Sequence, residues 1–151
     1  MKIEKCWPRL RPRKHAGKGM SSGGPAIGGL TGDVILKRFE KPDETRVFEK
    51  GKFELVQIGG MTIGRATYEP GWKWSEHVGK AMGATSCYVE HVGMVVSGCA
   101  TAAMDDGSVI EMHAGELFYI PPGHDSWVVG NDPYVSLHFM GADDHAREHK
   151  K

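Results

Sequence analysis

Residues 115–127 read GELFYIPPGHDSW, where an apolar run, a Pro-Pro-Gly turn and a histidine follow one another. Residues 70–98 repeat this combination, opening with PGWKWSEHV and closing with CYVEHVGMVVSG. Proline and glycine favour turns between strands, so these histidines stand where the chain would turn at the mouth of a small β-barrel. The two stretches together predict a barrel that binds a metal ion.

The length and composition of the chain fit one domain. It has 151 residues, of which 40% are hydrophobic, which is enough for a single core. No apolar run reaches the roughly 18 residues of a membrane span, and the basic N-terminus lacks the apolar stretch of a secretory signal. The three cysteines form no CxxC pair, which argues against a disulfide framework or a zinc knuckle. We therefore expect a cytoplasmic protein without a membrane partner.

Three segments of different composition divide the chain. Residues 1–32 are predicted to be a flexible arm, basic over residues 1–18 and rich in glycine after them. Residues 33–141 carry the predicted barrel, and residues 142–151 form a polar tail. A basic arm on an acidic body is typical of a solvated tail, and contact with nucleic acid or an anionic lipid surface is the alternative.

Short β-rich runs alternate with turn signals from residue 33 onward. The predicted strands are residues 34–39, 53–58, 61–68, 87–96, 99–104, 108–112, 116–120, 126–130 and 134–140. Gly59-Gly60 has the composition of a two-residue hairpin loop, and no segment has a convincing helical period. Short antiparallel strands bury their inner faces best in a sandwich or closed barrel, so the sequence predicts an all-β fold.

Alternation along the strands decides which side chains can meet. Cys87 and His91 are four residues apart in one predicted strand and therefore point to the same side. His124 and Ser126 share a direction for the same reason. His138 lies on the polar face of the last strand, which looks either at solvent or into a polar cavity. Alternation alone does not choose between these two.

The two stretches resemble the two motifs of the cupin superfamily, over roughly residues 60–141. Cupins are small antiparallel β-barrels of the double-stranded β-helix, or jelly-roll, type that usually hold a divalent metal on three histidines and one glutamate. In their first motif a glycine precedes the first ligand histidine by six positions, which matches Gly71 and His77. The motif's glutamate stands seven residues before a glycine, and counting back from Gly98 gives His91. The resemblance implies an imidazole where the family usually has a carboxylate.

The chain departs from the cupin pattern in three further places. The second histidine of the first motif falls on Gly79. Residues 79–86, GKAMGATS, lengthen the motif and look like an inserted loop that would lie over the barrel mouth. In the second motif the turn at residues 121–123 matches, but the histidine position holds Ser126, and His124 stands two residues earlier. The resemblance thus implies an altered ligand set.

The metal ligands that follow from this resemblance are His77, His91 and His124. Imidazoles that converge in a low-dielectric barrel need hydrogen-bond partners or a cation, and they suit zinc, iron, nickel or copper. Cys87 either completes the site or packs as a small hydrophobe. The candidates for a substrate pocket are Cys87, Tyr119, Trp127 and His138. Histidines that we do not expect in the site are His113, His145 and His149.

Two classes of function remain open. The resemblance to metal-dependent cupins implies an enzyme acting on a small organic molecule, such as a dioxygenase, an isomerase or a lyase. The alternative is a non-catalytic binding, sensing or structural module, because fold does not decide function. The resemblance also implies a homodimer, in which the strand predicted at residues 34–39 would cross to the partner. No DNA-reading helix pair is present, so we expect no nucleic-acid partner.

Overall fold

The computed structural model describes residues 33–145 of the chain. Predictions made for residues 1–32 and 146–151 therefore lie outside the described residues. The strands are β1 (Glu44–Phe48), β2 (Gly51–Ile58), β3 (Met61–Tyr68), β4 (His91–Ser97), β5 (Cys99–Met104), β6 (Val109–His113), β7 (Leu117–Ile120), β8 (His124–Asp125) and β9 (Tyr134–Met140). A π-helical turn covers Ser75–Gly79, and it runs into one short helix, α1 (Lys80–Met82). Within this part of the chain, no helix is both long and apolar enough to span a bilayer.

The strands form two antiparallel sheets. The larger sheet has six strands in the order β1-β2-β3-β9-β4-β7, and the smaller has three in the order β6-β5-β8. Isolated bridges, which join Lys73 to Trp127, Cys87 to His124 and Ala100 to Val128, continue the pairing beside the smaller sheet. One hydrophobic core takes side chains from both sheets, among them Phe53 and Val95 from the larger one and Ala100 and Met112 from the smaller one. The all-β prediction is confirmed.

Most of the predicted strands are present, and three differ. The strand predicted at residues 87–96 begins at His91, so residues 87–90 lie outside it. Residues 34–39 were predicted as a strand, but they have no strand partner, and Val34 and Leu36 are exposed. Instead, Glu44–Phe48 pairs with β2 and forms the edge of the larger sheet. This strand is mostly exposed, so it lacks the apolar alternation that would reveal it in the sequence. The strand predicted at residues 126–130 is replaced by single bridges at Trp127 and Val128. The continuous pairing with β5 lies just before it, at His124–Asp125.

A short helical stretch lies between β3 and β4. It consists of Ser75–Gly79 and α1, and it corrects the expectation that no helix is present. Gly83 ends α1 in the left-handed conformation. Residues of the predicted inserted loop, Met82, Ala84 and Ser86, line a groove at the surface.

The end of the described chain packs onto the core instead of extending as a polar tail. Ala142 is 2% exposed and His145 is 5% exposed. The Arg46 guanidinium donates hydrogen bonds to the carbonyl oxygens of both residues. The compact part of the chain therefore continues past residue 141, where we expected the barrel to end.

A buried carboxylate links strands β2 and β3. Glu54 is 5% exposed, and its two oxygens accept hydrogen bonds from Lys52 Nζ and Arg65 Nε, each at 2.8 Å. Burial alone would raise the pKa of Glu54, but the hydrogen bonds and charges of Arg65 and Lys52 outweigh it and hold that pKa below its ordinary value. The Glu54 carboxylate is therefore ionised, and each of its oxygens accepts one hydrogen bond from a cationic side chain.

Glu54→Gln is expected to lower the free energy of unfolding by about 1–3 kcal/mol near neutral pH, because the amide loses the charge and turns an N–H toward Arg65. Since the folded pKa of Glu54 lies below the ordinary 4.5, its stabilisation is present above that pH and is lost as the pH falls through the lowered value. Urea denaturation at several pH values should show the two proteins converging in acid. The control Glu76→Gln changes an exposed carboxylate 3.8 Å from Lys73. Equal losses in both variants would contradict the prediction.

Candidate metal centre

Four imidazole rings lie together in the interior. The His91 ring centroid is 5.3 Å from that of His124, 5.2 Å from that of His138 and 5.2 Å from that of His145. The His138 and His145 rings are 5.5 Å apart. All four residues are at least nine-tenths buried. We call the space that they border the histidine cavity.

Different parts of the fold supply these rings. His91 is the first residue of β4, opposite Ile120, and His138 lies in β9, opposite Gly93 of β4. His124 begins β8, directly after the Pro-Pro-Gly turn, and His145 ends the chain segment that follows β9. The rings meet because the larger sheet and β8 face each other across the core.

Cys87 adds a sulfur donor to the cluster. Its Sγ atom lies 3.6 Å from His91 Nε2. Cys87 lies outside β4, in an isolated bridge to His124, so alternation along one strand does not account for this contact. Its backbone is paired with that of His124, since Cys87 N donates to His124 O at 2.7 Å. One donor atom from each of Cys87, His91 and His124 lies within 4.8 Å of the other two. A thiol and imidazoles at this separation form a donor set for a transition metal.

The hydrogen bonds of the imidazoles leave donor atoms free. His124 Nδ1 is 2.7 Å from the Pro121 carbonyl oxygen, which fixes the proton on Nδ1 and leaves the Nε2 lone pair available. Among the described residues, three buried imidazole nitrogens have no hydrogen-bond partner, namely His91 Nδ1, His138 Nδ1 and His145 Nδ1, and the same holds for the indole nitrogens of Trp72 and Trp74. An unsatisfied buried polar atom costs about 1–3 kcal/mol, so a cluster of three calls for a polar occupant.

Burial keeps these imidazoles neutral. Desolvation, together with the neighbouring His138 and His124, lowers the pKa of His91 to about 2. Desolvation and His124 lower the pKa of His138 to about 4. The pKa of His145 is lowered in the same way, and burial also lowers that of His124. A metal ligand must carry a free lone pair, and neutral imidazoles provide one at every physiological pH.

The histidine cavity is small and has an aromatic wall. Its volume is about 30 Å³, which is room for about one water molecule or one ion. Tyr68 and Trp72 stack on one another with ring centroids 3.7 Å apart and line the cavity together with Trp74. The two tryptophans are buried, so they serve as core and as cavity wall at once. The cavity does not have room for an organic substrate.

A larger groove lies next to the histidine cavity. Its volume is about 630 Å³, and its lining includes Trp74, Met82, Cys87, Glu90, Gly141 and Asp144. Trp74 borders both spaces. Cys87 borders the groove and contacts His91, so the groove lies against the donor cluster. We call it the mouth groove.

The structure does not bring every predicted site residue to the cavity. His77 lies in the π-helical turn, where its Nδ1 is 2.9 Å from the Lys73 carbonyl oxygen, and its ring borders a separate surface pocket. The π-helical backbone there places the His77 ring outside the lining of the histidine cavity. Tyr119 is 61% exposed and donates to Glu90 Oε1 at 2.7 Å. Trp127 is partly exposed, with Lys73 Nζ 5.8 Å from its ring.

Two residues of the cluster needed the tertiary structure to find them. His138 has the inward direction that alternation left open. His145 was excluded because its surroundings, DDHAREHKK, are polar. The sequence carries only one weak signal for it, the small residue Ala142, which allows the chain to pack against the core.

The arrangement of the two sheets can now be compared with known folds. Two antiparallel sheets enclose one core, and the Pro-Pro-Gly turn at residues 121–123 leads into the buried His124. Neither a protein-family model nor a curated protein sequence matches the chain.

Several solved structures are similar to this chain at low sequence identity. A protein of unknown function from Acidithiobacillus ferrooxidans has 20% identity and a TM-score of 0.48, over 64% of this chain and 86% of that one. A cupin-superfamily sugar phosphate isomerase from Silicibacter pomeroyi has 17% identity and a TM-score of 0.47, over 65% and 73%. KdgF from a Halomonas species has 16% identity and a TM-score of 0.47, over 64% and 84%.

Gly141 is the residue after β9 whose backbone passes directly beside His91. It has a φ of +79°, and a Cβ placed on it would collide with the Glu90 carbonyl oxygen and lie 2.8 Å from His91 Nδ1. Gly83 has a similar φ of +68°, but a Cβ there would meet nothing within 4 Å. The two glycines thus share the backbone requirement and differ in packing.

Gly141→Ala is expected to destabilise the protein by about 1–3 kcal/mol more than Gly83→Ala, because both replacements strain the backbone and only the first adds a collision. Thermal and urea unfolding of the two variants measure the difference. Equal destabilisation would show that the segment after β9 does not pack on His91 in solution.

Proposed function

We propose that this cupin-like protein binds a divalent transition metal in the histidine cavity and binds or acts on a small organic molecule in the mouth groove. The observation that carries the proposal is the group of Cys87, His91 and His124, whose donor atoms lie within 4.8 Å of one another. The unpartnered imidazole nitrogens beside that group support it, because a buried neutral imidazole nitrogen without a hydrogen-bond partner keeps a lone pair that a cation can bind.

The donors that would hold the metal are Cys87 Sγ and imidazole nitrogens of His91 and His124. His138 is the nearest additional imidazole that a β-strand supplies, and its ring lies 5.2 Å from that of His91. Sulfur with nitrogen donors suits zinc or copper, and nitrogen donors alone also suit iron or nickel. Burial raises the pKa of the Cys87 thiol, so binding of the metal would have to displace its proton.

When bound, such a metal supplies Lewis-acid chemistry at any coordination position that the protein leaves open. The chain's own contribution is to hold the donors and to limit water. His124 is oriented by the Pro121 carbonyl, and Ser136 Oγ contacts His138 Nε2 at 3.1 Å. The stacked Tyr68 and Trp72 keep one side of the cavity apolar. This arrangement suits a dioxygenase, isomerase or lyase whose substrate approaches from the mouth groove.

The second candidate is a non-catalytic module that binds a small molecule or uses the metal for stability. The size of the histidine cavity favours it, because about 30 Å³ leaves no space for substrate atoms beside a metal. A ligand that binds in the mouth groove with the same affinity in the presence and absence of metal would support this candidate. A ligand that binds more tightly in the presence of the metal than in its absence would support the proposal of a metal-dependent enzyme.

Purified wild-type protein is expected to bind about one equivalent of Co²⁺ or Zn²⁺ in the buried centre. With Co²⁺, visible absorption should report the imidazole ligands, and a near-ultraviolet charge-transfer band should report the thiolate. His91→Ala and His124→Ala should each weaken binding by about tenfold or more, since each removes a ligand. Cys87→Ser should abolish the charge-transfer band.

Two variants serve as matched controls. His77→Ala removes a histidine that the structure places at a separate pocket, so it should leave binding unchanged. Cys99→Ser removes the other described thiol, which groups with Glu111 and His113 near the surface of β5 and β6. It should leave the charge-transfer band of the buried centre intact. Loss of binding in His77→Ala, with retention in His124→Ala, would refute this ligand set.

We also propose a homodimer. Val34 is 88% exposed, Ile35 57% and Leu36 89%, and these side chains precede the larger sheet in an extended segment without a strand partner. Sedimentation of the wild type and of a variant with all three residues changed to serine tests this. A dimer that becomes a monomer only in the variant would support the interface, and a wild-type monomer would exclude it.

A further inference from the structure

The chain segment after β9 separates the mouth groove from the histidine cavity. Gly141 and Asp144 line the groove, and His145, the next residue along, lines the cavity. His145 N donates to Gly141 O at 3.1 Å, which closes the segment into a single turn. We call residues 141–145 the C-terminal turn. It forms a wall with one face toward each space.

The turn is fastened at a few points. Ala142 is buried in the core, and the His145 ring lies 4.5 Å from that of Phe53. Arg46 of β1 donates from Nη1 to the carbonyl oxygens of Ala142 and His145. Ladder hydrogen bonds of the sheets do not include the turn, so it can move without breaking a strand pair.

His145 has the features of a ligand and not only those of a core residue. Its Nε2 lies 2.6 Å from the Tyr68 hydroxyl, and its Nδ1 is buried without a partner. When Nε2–H donates to the Tyr68 oxygen, the neutral ring carries its free lone pair on Nδ1. The ring is as close to that of His91 as the ring of His138 is, at 5.2 Å for each pair.

We propose that His145 is a displaceable member of the buried centre: the C-terminal turn supplies its imidazole at the position where a ligand from the mouth groove would otherwise bind. This inference rests on the proposed metal centre. It assigns the opening of the site to the turn, because Gly141 and Asp144 of the turn line the groove and His145 of the same turn lines the cavity. The external ligand is a small nitrogen donor or anion of about the size of an imidazole ring.

The test uses Co²⁺ as the metal and free imidazole as the external ligand. His145→Ala removes the ring and leaves a space of its shape. Relative to wild type, it should bind Co²⁺ about tenfold or more weakly and show a changed visible spectrum. Added imidazole should restore the wild-type spectrum and affinity in His145→Ala. The same concentration should leave the wild type unchanged, because the tethered His145 ring competes with free imidazole, and displacement in the wild type should need a higher concentration. A merely structural role of His145 would not give a spectrum that imidazole restores.

Two further variants guard against loss of folding and nonspecific effects. Arg46→Gln releases the C-terminal turn without changing a proposed ligand, so it should allow imidazole to alter the Co²⁺ spectrum while His145 is still present. His113→Ala removes an exposed imidazole and should behave as wild type. If His145→Ala does not fold, the response of Arg46→Gln to imidazole decides.

The outcomes separate this inference from the function on which it rests. A wild type that binds no Co²⁺ overturns both. Binding to the wild type with an unchanged spectrum in His145→Ala and no response to imidazole in Arg46→Gln overturns only the role of His145. Restoration of the His145→Ala spectrum by imidazole establishes it.

Discussion

Burial of several imidazoles in one small apolar cavity is the constraint on which the rest of this structure depends. Each ring must stay neutral there, because charging it would require desolvating an ion beside other polar rings. Neutral rings carry lone pairs, and three of the ring nitrogens have no hydrogen-bond partner within the described part of the chain. A cavity lined in this way offers lone pairs to a small electron-pair acceptor such as a metal ion.

Neighbouring residues hold the imidazole rings in place by hydrogen bonds and close packing. The Pro121 carbonyl fixes the tautomer of His124, and Tyr68 and Ser136 each bond one further imidazole. Close packing supports the same rings, since Gly93 and Gly141 leave no space for a side chain against Phe118 and His91. The donors therefore come from separate strands and a turn, but their neighbours restrict each of them to one orientation.

Much of the fold could be predicted from local pattern. β3 and β9 have the predicted bounds, and turn residues flank both of them. Strand β1 could not be predicted, because an exposed edge strand needs only one partner and little apolar surface. Residues 34–39 show the reverse case, in which an apolar run finds no strand to pair with. Whether an apolar segment forms a strand depends on the strand that lies beside it and not only on its own sequence.

The sequence by itself determined an all-β fold of short antiparallel strands and the position of His124 directly after a Pro-Pro-Gly turn. Only the tertiary structure decided which face of β9 turns inward, that His77 leaves the cluster on a helical turn, and that His145 enters it. The physical reason is that alternation fixes relative directions along one strand. Which direction is the interior, and which distant residues share it, depends on the partner sheet and on the packing of the chain end.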